Sequence, residues 1–338
     1  VVIAAPRRGL VSVVVAGGGP GLQPSLRSAA AQTYGSTEIV VAAETVAGNG
    51  LGSLGSIAAG VRVLPPPEGG LAEARSAAVA ATDGQYVAFL HPGDAWSPEK
   101  LSRQVALMEA HPDLGLVFTR ARIVDTLGEG GPPAPADPVS RAADGGEPVV
   151  PAPGGEWEAL FEDGIAQRDP ARTYARLLTG DFVPYSSMLA RRVALPIEGP
   201  FRGRYRRLDV HDMVLRTSEL RRFGFVAEPL TTCPRRPPEP DADAHQRALE
   251  ALDLFRDNLA RNPWLAAAAP SELRRRERSL LAEAGRLLAR AGRGAEARPL
   301  LLRAWRKGPL DLAIPAILLE GLVFPRRRAP RAGEAGGG

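Results

Sequence analysis

Residues 71–112 read LAEARSAAVAATDGQYVAFLHPGDAWSPEKLSRQVALMEAHP, and the order of patterns in this stretch decides the fold. Small residues from Ala74 to Ala81 predict a helix, closed by Asp83-Gly84. Residues 85–90 (QYVAFL) form a short run apolar enough to be buried on both faces, as strands of a parallel sheet are. His91-Pro92-Gly93-Asp94 breaks that run. Ser97 stands where an N-cap belongs and Pro98 where a first helical residue belongs, and Leu101, Val105 and Met108 follow at helical spacing. Helix, buried strand, turn and helix in this order build an open α/β sheet, which binds ligands just beyond the C-terminal ends of its strands. The turn at 91–94 is therefore the first candidate site.

Further strands are expected at 11–15 (VSVVV), 38–42 (EIVVA), 61–64 and 114–120 (LGLVFTR), with a helix over about 22–32 after the first. Ala16-Gly17-Gly18-Gly19-Pro20 follows the first strand. It lacks the G-x-G-x-x-G spacing of a dinucleotide site and reads as a turn rather than a phosphate cradle.

The wording resembles the family 2 glycosyltransferases, whose fold is called GT-A. The resemblance rests on Ala31-Gln32-Thr33-Tyr34, Ala74-Arg75, Gly84-x-Tyr86, Phe89-Leu90, Trp96, Pro98-x-Lys100-Leu101 and Gln104. It continues through Gly180-Asp181-Phe182-Val183-Pro184-Tyr185-Ser186-Ser187 with Arg191-Arg192, and through Phe225-Val226-x-Glu228-Pro229-Leu230. It covers about residues 10–236. It implies an α/β, Rossmann-like, mostly parallel sheet flanked by helices. It also implies transfer of a sugar from a nucleotide-diphosphate donor to a glycan or lipid-linked acceptor, with inversion. The chemical words depart from the pattern. Where relatives carry Asp-x-Asp-Asp, this chain has His91-Pro92-Gly93-Asp94, and where they end on Tyr-Arg-x-His it has Cys233-Pro234-Arg235-Arg236.

From the resemblance, Arg75, His91, Asp94 and Trp96 are expected on the donor side, with Glu44 where relatives hold the nucleoside with an aspartate. Asp94 and His91 are the remaining metal candidates, a weak set for Mg²⁺ or Mn²⁺ because hard cations prefer several oxygens. Arg235 and Arg236 are candidates to meet the diphosphate in the metal's place; residues 191–236 hold eleven arginines against five acids. Ser186 and Ser187 fall on a strand that lines the acceptor side in relatives. The segment Leu208-Asp209-Val210-His211-Asp212 stands where the family has its catalytic base. One register puts Val210 on the base and the next puts Asp209 there; Asp209 and then Asp212 are the candidate carboxylates. The plain alternative for Asp212 is a brace on the helix that follows. The departures also support a different reading, a catalytically degenerate relative that serves as a binding or scaffold subunit.

Composition excludes other classes. The chain has 338 residues and a formal net charge of +4, and all but two of its 42 Lys and Arg residues are arginine. Its basic residues are interleaved with acids and show no aromatic stacking platform, so a nucleic-acid binder is not expected. Cys233 is the single cysteine, which rules out a disulfide within the chain and a cysteine metal site. A cytoplasmic location, with peripheral contact at the inner membrane surface, is the expectation. Residues 126–155 are rich in Gly, Pro, Ala and Asp and are expected to be a loosely packed insertion. A linker at 237–243 and helices at about 243–260, 271–291, 294–307 and 310–323 complete the chain, before an Arg- and Gly-rich tail at 325–338. The middle helices resemble one tetratricopeptide unit, with Gly285, Leu288, Ala297, Leu301 and Ala304 at its small and large positions. These helices are expected to offer a surface to a protein partner.

Overall fold

The structure is a computed structural model, and it describes residues 5–19, 21–42, 60–65, 68–124, 149–150, 160–162, 164–166, 170–180, 183–234 and 241–308. Glu44, Arg235, Arg236, nearly all of 126–155, the helix expected at 310–323 and the tail lie outside these residues. The chain divides into two compact units, Val1–Pro237 and Pro238–Gly338.

The first unit is built on one sheet. Its strands are β1 (Arg7–Ala16), β2 (Thr37–Ala42), β3 (Val61–Leu64), β4 (Gly84–Leu90), β5 (Ala95–Trp96), β6 (Leu114–Val124), β7 (Val149–Val150), β8 (Phe161–Glu162), β9 (Ile165–Ala166), β10 (Leu189–Arg191) and β11 (Arg222–Pro234). They order as β3-β2-β1-β4-β10-β6-β11-β9-β8, with β5 on β11 and β7 on β6. The pairs among β3, β2, β1 and β4 are parallel, and so is β6 with β11. The short β10 runs antiparallel between β4 and β6. Alternation sorts the two faces. Val11, Val13, Val15, Ile39, Val41, Tyr86, Ala88 and Leu90 point to one core. There they meet Leu22 and Leu26 of α1 (Leu22–Ala30) and Leu101, Val105 and Met108 of α3 (Lys100–Ala110). On the other face Phe89 packs against Tyr185 and Phe201, with ring centroids 5.5 and 5.6 Å away.

Side chains from distant segments close the backbone valences of the helices. The N–H of Leu101, in the first turn of α3, donates to Gln32 Oε1 at 3.0 Å, while Gln32 Nε2 donates to the Ser97 carbonyl at 2.9 Å. This corrects the expected start: Ser97 is not the N-cap. Its own N–H pairs with the Leu230 carbonyl at 3.0 Å, and the helix begins at Lys100. Arg191 and Arg192 act at the other ends. Arg191 Nη2 donates to the Met108 carbonyl (3.0 Å) of α3, and Arg192 Nη1 to the Val79 carbonyl (3.2 Å) of α2 (Leu71–Ala80). Carbonyls at a helix C-terminus lack intrahelical donors, and arginine meets both their hydrogen-bonding need and the dipole.

Two further expectations are revised. Helical spacing over 156–161 predicts a helix running to Phe161, but Phe161 opens the β8–β9 hairpin, turned at Gly164 with φ +79°, and its ring packs on Phe118 and Phe225. Aromatic packing outweighs local helical spacing at this edge. Ser186 and Ser187 do not lie on a strand but in a 3₁₀ turn, Tyr185–Ser187, just before β10. The helix after the hairpin, α4 (Pro170–Thr179), falls where helical spacing over 171–178 predicts one.

The second unit contains α6 (Asp241–Arg261), α7 (Leu265–Ala268), α8 (Pro270–Arg290) and α9 (Gly294–Arg306), so the expected linker is already helical at Asp241. A Cβ on Gly285 would come within 2.7 Å of Leu301 Cγ, so a glycine is required where α8 and α9 approach. No helix among the described residues is long and apolar enough to cross a membrane.

Candidate active site

The C-terminal ends of β1 and β4 meet at a turn locked by backbone contact. Gly93, at φ +97°, donates its N–H to the Gly21 carbonyl (3.1 Å) and to Ser25 Oγ (2.9 Å). Ser25 Oγ in turn donates to the Asp94 carbonyl at 2.7 Å. A Cβ on Gly21 would lie 2.6 Å from Gly93 Cα, so the glycine loop after β1 and the 91–94 turn must touch backbone to backbone. The end of β11 reaches the same place: a Cβ on Gly93 would sit 3.8 Å from Pro234 Cγ.

Ser186 ties this turn to the sheet. Its hydroxyl donates to Asp94 Oδ2 at 2.5 Å and accepts the His91 N–H at 2.9 Å; Trp96 Nε1 donates to its carbonyl at 2.7 Å. Asp94 is 2% exposed and Ser186 fully buried. His91 Nδ1 lies 2.7 Å from the Pro92 carbonyl. Ser187, also buried, donates its hydroxyl to the Pro184 carbonyl at 2.6 Å. The turn therefore brings together one carboxylate, already hydrogen-bonded, and one imidazole. Among the described residues no three His, Cys, Asp or Glu side chains gather as a metal site. Such a donor set does not fit a divalent site of the family type, which is built from several carboxylate oxygens.

Below the turn lies Lys100, fully buried. Its Nζ donates to Gln104 Oε1 at 2.8 Å and sits 4.2 Å from the centre of the Trp96 ring. Gln104 Nε2 donates to the carbonyls of Val117 and Ser187, both at 2.8 Å. Burial pushes the Lys100 ammonium well below the ordinary lysine range. The unfolded chain therefore keeps a proton that the folded chain gives up, and stability should rise with pH between the folded value and about 10.4, the usual unfolded one. Lys100→Met is expected to flatten that slope in urea titrations between pH 7 and 9.5. At pH 7 the variant is relieved of the cost of deprotonating Lys100 on folding, and an orphaned Gln104 oxygen offsets about 1–3 kcal/mol of that gain. An unchanged slope would show that Lys100 is not the linked group.

The second cluster lies on the Phe89 side of the sheet. Arg75 of α2 donates from Nη1 to Asp209 Oδ2 at 2.5 Å, and its guanidinium stands 4.5 Å over the Tyr185 ring and 5.7 Å from that of Phe201. Asp209 opens α5 (Asp209–Ser218). Burial raises its carboxyl above the usual range, while Arg75 and the N–H groups of Val210 and Asp209 pull it back down. Burial likewise pushes the Tyr185 hydroxyl up to about 12. One turn further along α5, Asp212 is fully buried and held from two sides: Arg202 Nε donates at 2.8 Å and Arg216 Nε at 2.9 Å, both to Oδ2, and Arg202 Nη2 reaches Oδ1. Arg216 also donates to the carbonyls of Gly199 (3.0 Å) and Pro200 (2.6 Å). Asp212 thus braces the 199–202 loop against its helix.

The structure joins His91, Asp94, Trp96 and Ser186 into one network and Arg75 with Asp209 into another, with Tyr185 between the two, beside Ser186 in the chain and beneath Arg75. Sequence reasoning gave no site role to Ser25, Gln104 or Tyr185, although Gln104 and Tyr185 stand among the residues that carry the resemblance. Ser25 and Gln104 act on backbone groups far away in the chain, which leaves no local signal; an aromatic next to a conspicuous Ser-Ser pair was the one visible cue for Tyr185.

A curled, mostly parallel sheet with its turns gathered at strand C-termini is the architecture of GT-A glycosyltransferases. Residues 11–148 match the family described as Glycosyl transferase family 2. No curated protein matches the chain. Among solved structures, Staphylococcus aureus TarS 1–349 in complex with UDP is similar at 14% identity over 93% of this chain and 91% of that one, with a TM-score of 0.52. The mannosyltransferase PcManGT from Pyrobaculum calidifontis, in complex with GDP-Man and Mn²⁺, is similar at 16% identity over 92% of this chain and 79% of that one, also with a TM-score of 0.52. At these identities the likeness is one of fold.

Proposed function

We propose that the chain is an inverting glycosyltransferase that takes a nucleotide-diphosphate sugar as donor and a glycan or lipid-linked hydroxyl as acceptor. The observation that carries this reading is the convergence of Asp94, through Ser186, and of Asp209, through Arg75, on the single 3₁₀ turn that holds Tyr185. A transferase of this kind needs a donor cradle at the strand ends and, close by, a carboxylate to take the acceptor proton. As the proton leaves, the acceptor oxygen attacks the anomeric carbon and the bond to the diphosphate breaks. UDP in the TarS complex and GDP-Man in the mannosyltransferase complex are donor-side ligands of the kind this reading requires. Calorimetry with UDP, GDP and dTDP, each with Mn²⁺ and with EDTA, tests it; binding of one nucleotide supports it. Absence of binding under every condition would favour the second reading, a binding subunit without catalysis. The specific observation behind that second reading is that both candidate bases are buried and ion-paired.

The same titration carries a metal prediction. Asp94 is the one carboxylate in its turn, so a cation has little protein anchorage, and Arg235 and Arg236 are proposed to meet the diphosphate instead. Each charge-assisted pair to phosphate is worth about 1.5–3 kcal/mol. Arg235→Ala with Arg236→Ala is therefore expected to weaken the bound nucleotide by at least about tenfold, and EDTA by less than that. Binding abolished by EDTA and indifferent to the double variant would sink the idea.

A further inference from the structure

We propose that Arg75 is a positioning residue for Asp209: it fixes the carboxylate at the first residue of α5 and holds it in its charged form, using the ring faces of Tyr185 and Phe201 as a platform. The proposal rests on the reading of Asp209 as a base only for its consequence in catalysis. Resemblance alone would assign Arg75 to the donor, but its geometry points elsewhere. Nη1 is committed to Asp209 Oδ2 at 2.5 Å, and the pair is buried, with side-chain exposures of 8% and 3%. Arg75 Nε has no hydrogen-bond partner. The ion pair and the ring faces are thus what orient the guanidinium.

A carboxylate taken out of water without a partner gains a proton rather than keep its charge. The groups that face Asp209 are the Arg75 guanidinium from α2 and the N–H groups of Asp209 and Val210 in α5; Tyr185 and, beyond it, Asp94 complete the charge environment on the side of the 3₁₀ turn. Arg75 is the cation in that set. A general base must be unprotonated to work, so a base buried to this degree needs a fixed positive neighbour to remain usable at neutral pH. Because Arg75 sits on α2 and Asp209 on α5, 134 residues apart, the pair also sets how far the base stands from the strand ends.

The test uses the full chain labelled with carbon-13 at aspartate carboxyl carbons, with the Asp209 signal assigned by its loss in Asp209→Asn. In Arg75→Gln the Asp209 titration should move to higher pH than in the wild type, and in Arg75→Lys by less. Tyr185→Leu, which removes the platform but leaves both charges, should move it in the same direction, and Tyr185→Phe, which keeps the ring, by less. The two Tyr185 variants and Arg75→Lys keep the test alive if Arg75→Gln does not fold. An Asp209 titration that stays put in Arg75→Gln overturns the proposal. So does a loss of UDP affinity in Arg75→Gln with the titration unmoved, which would return Arg75 to the donor. A moved titration together with full transfer by Asp209→Asn upholds the Arg75 assignment and overturns the base role alone.

Discussion

Asp212→Ala is expected to destabilise the first unit by about 3–5 kcal/mol, enough to exhaust a large part of a domain's usual stability. Asp212 is fully buried between Arg202 and Arg216, whose side chains are 29% and 9% exposed. Removing the carboxylate leaves Arg216 charged and enclosed, held to the Gly199 and Pro200 carbonyls but without a counter-ion. Arg202, the more exposed, can turn to water; Arg216 cannot, because its Nη1 and Nη2 stay engaged with the Gly199 and Pro200 carbonyls in that enclosure. Replacing Asp212 and Arg216 together by apolar residues should recover much of the loss, since the cost lies in the orphaned partner more than in the pair. Urea unfolding followed by fluorescence checks both. A change below 1 kcal/mol in Asp212→Ala would show that the triad behaves like an exposed surface pair and that the bracing role is wrong.

Asp209→Asn is expected to reduce transfer by about 10²–10⁴-fold, the usual share of a general base, and to leave nucleotide affinity nearly unchanged. An asparagine oxygen still accepts the Arg75 hydrogen bond, so the helix start and the guanidinium stay in place and what goes is proton uptake. Donor affinity falling in step with transfer would assign Asp209 to the donor instead. Full transfer would pass the base role elsewhere, and the Asp212 result would then decide whether that carboxylate is free to take it.

The strands were legible where burial on both faces made the run continuous. VSVVV, EIVVA and QYVAFL lie in β1, β2 and β4, and the break at Pro92-Gly93 falls at the strand end as written. The Ser97 error has a physical cause. A serine before a proline looks like a helix cap when only local bonds are considered, but the helix starts three residues later at Lys100, and the Leu101 N–H in its first turn is taken by Gln32, 69 residues before it in the chain. The same limit hid the partners at the site. Arg75 and Asp209 could each be marked as charged residues in matching words, but no spacing rule joins residues so far apart. Nor does any show that the hydroxyl of Ser186 is spent on Asp94 and the His91 N–H. Residue types were readable; which group satisfies which was not, because that depends on how the sheet brings segments together.

Arg191 and Arg192 are adjacent, yet they serve helices on opposite faces of the sheet. Arg191 ends β10 and Arg192 opens the 3₁₀ turn that follows it, so one short stretch of chain bonds to both outer layers. Local opening of a protein proceeds in cooperative blocks. Here, detaching β10 takes one carbonyl partner from the last turn of α2 and one from that of α3 in the same event. The layer that carries Arg75 and the layer that carries Lys100 and Gln104 are accordingly expected to loosen together when that stretch opens.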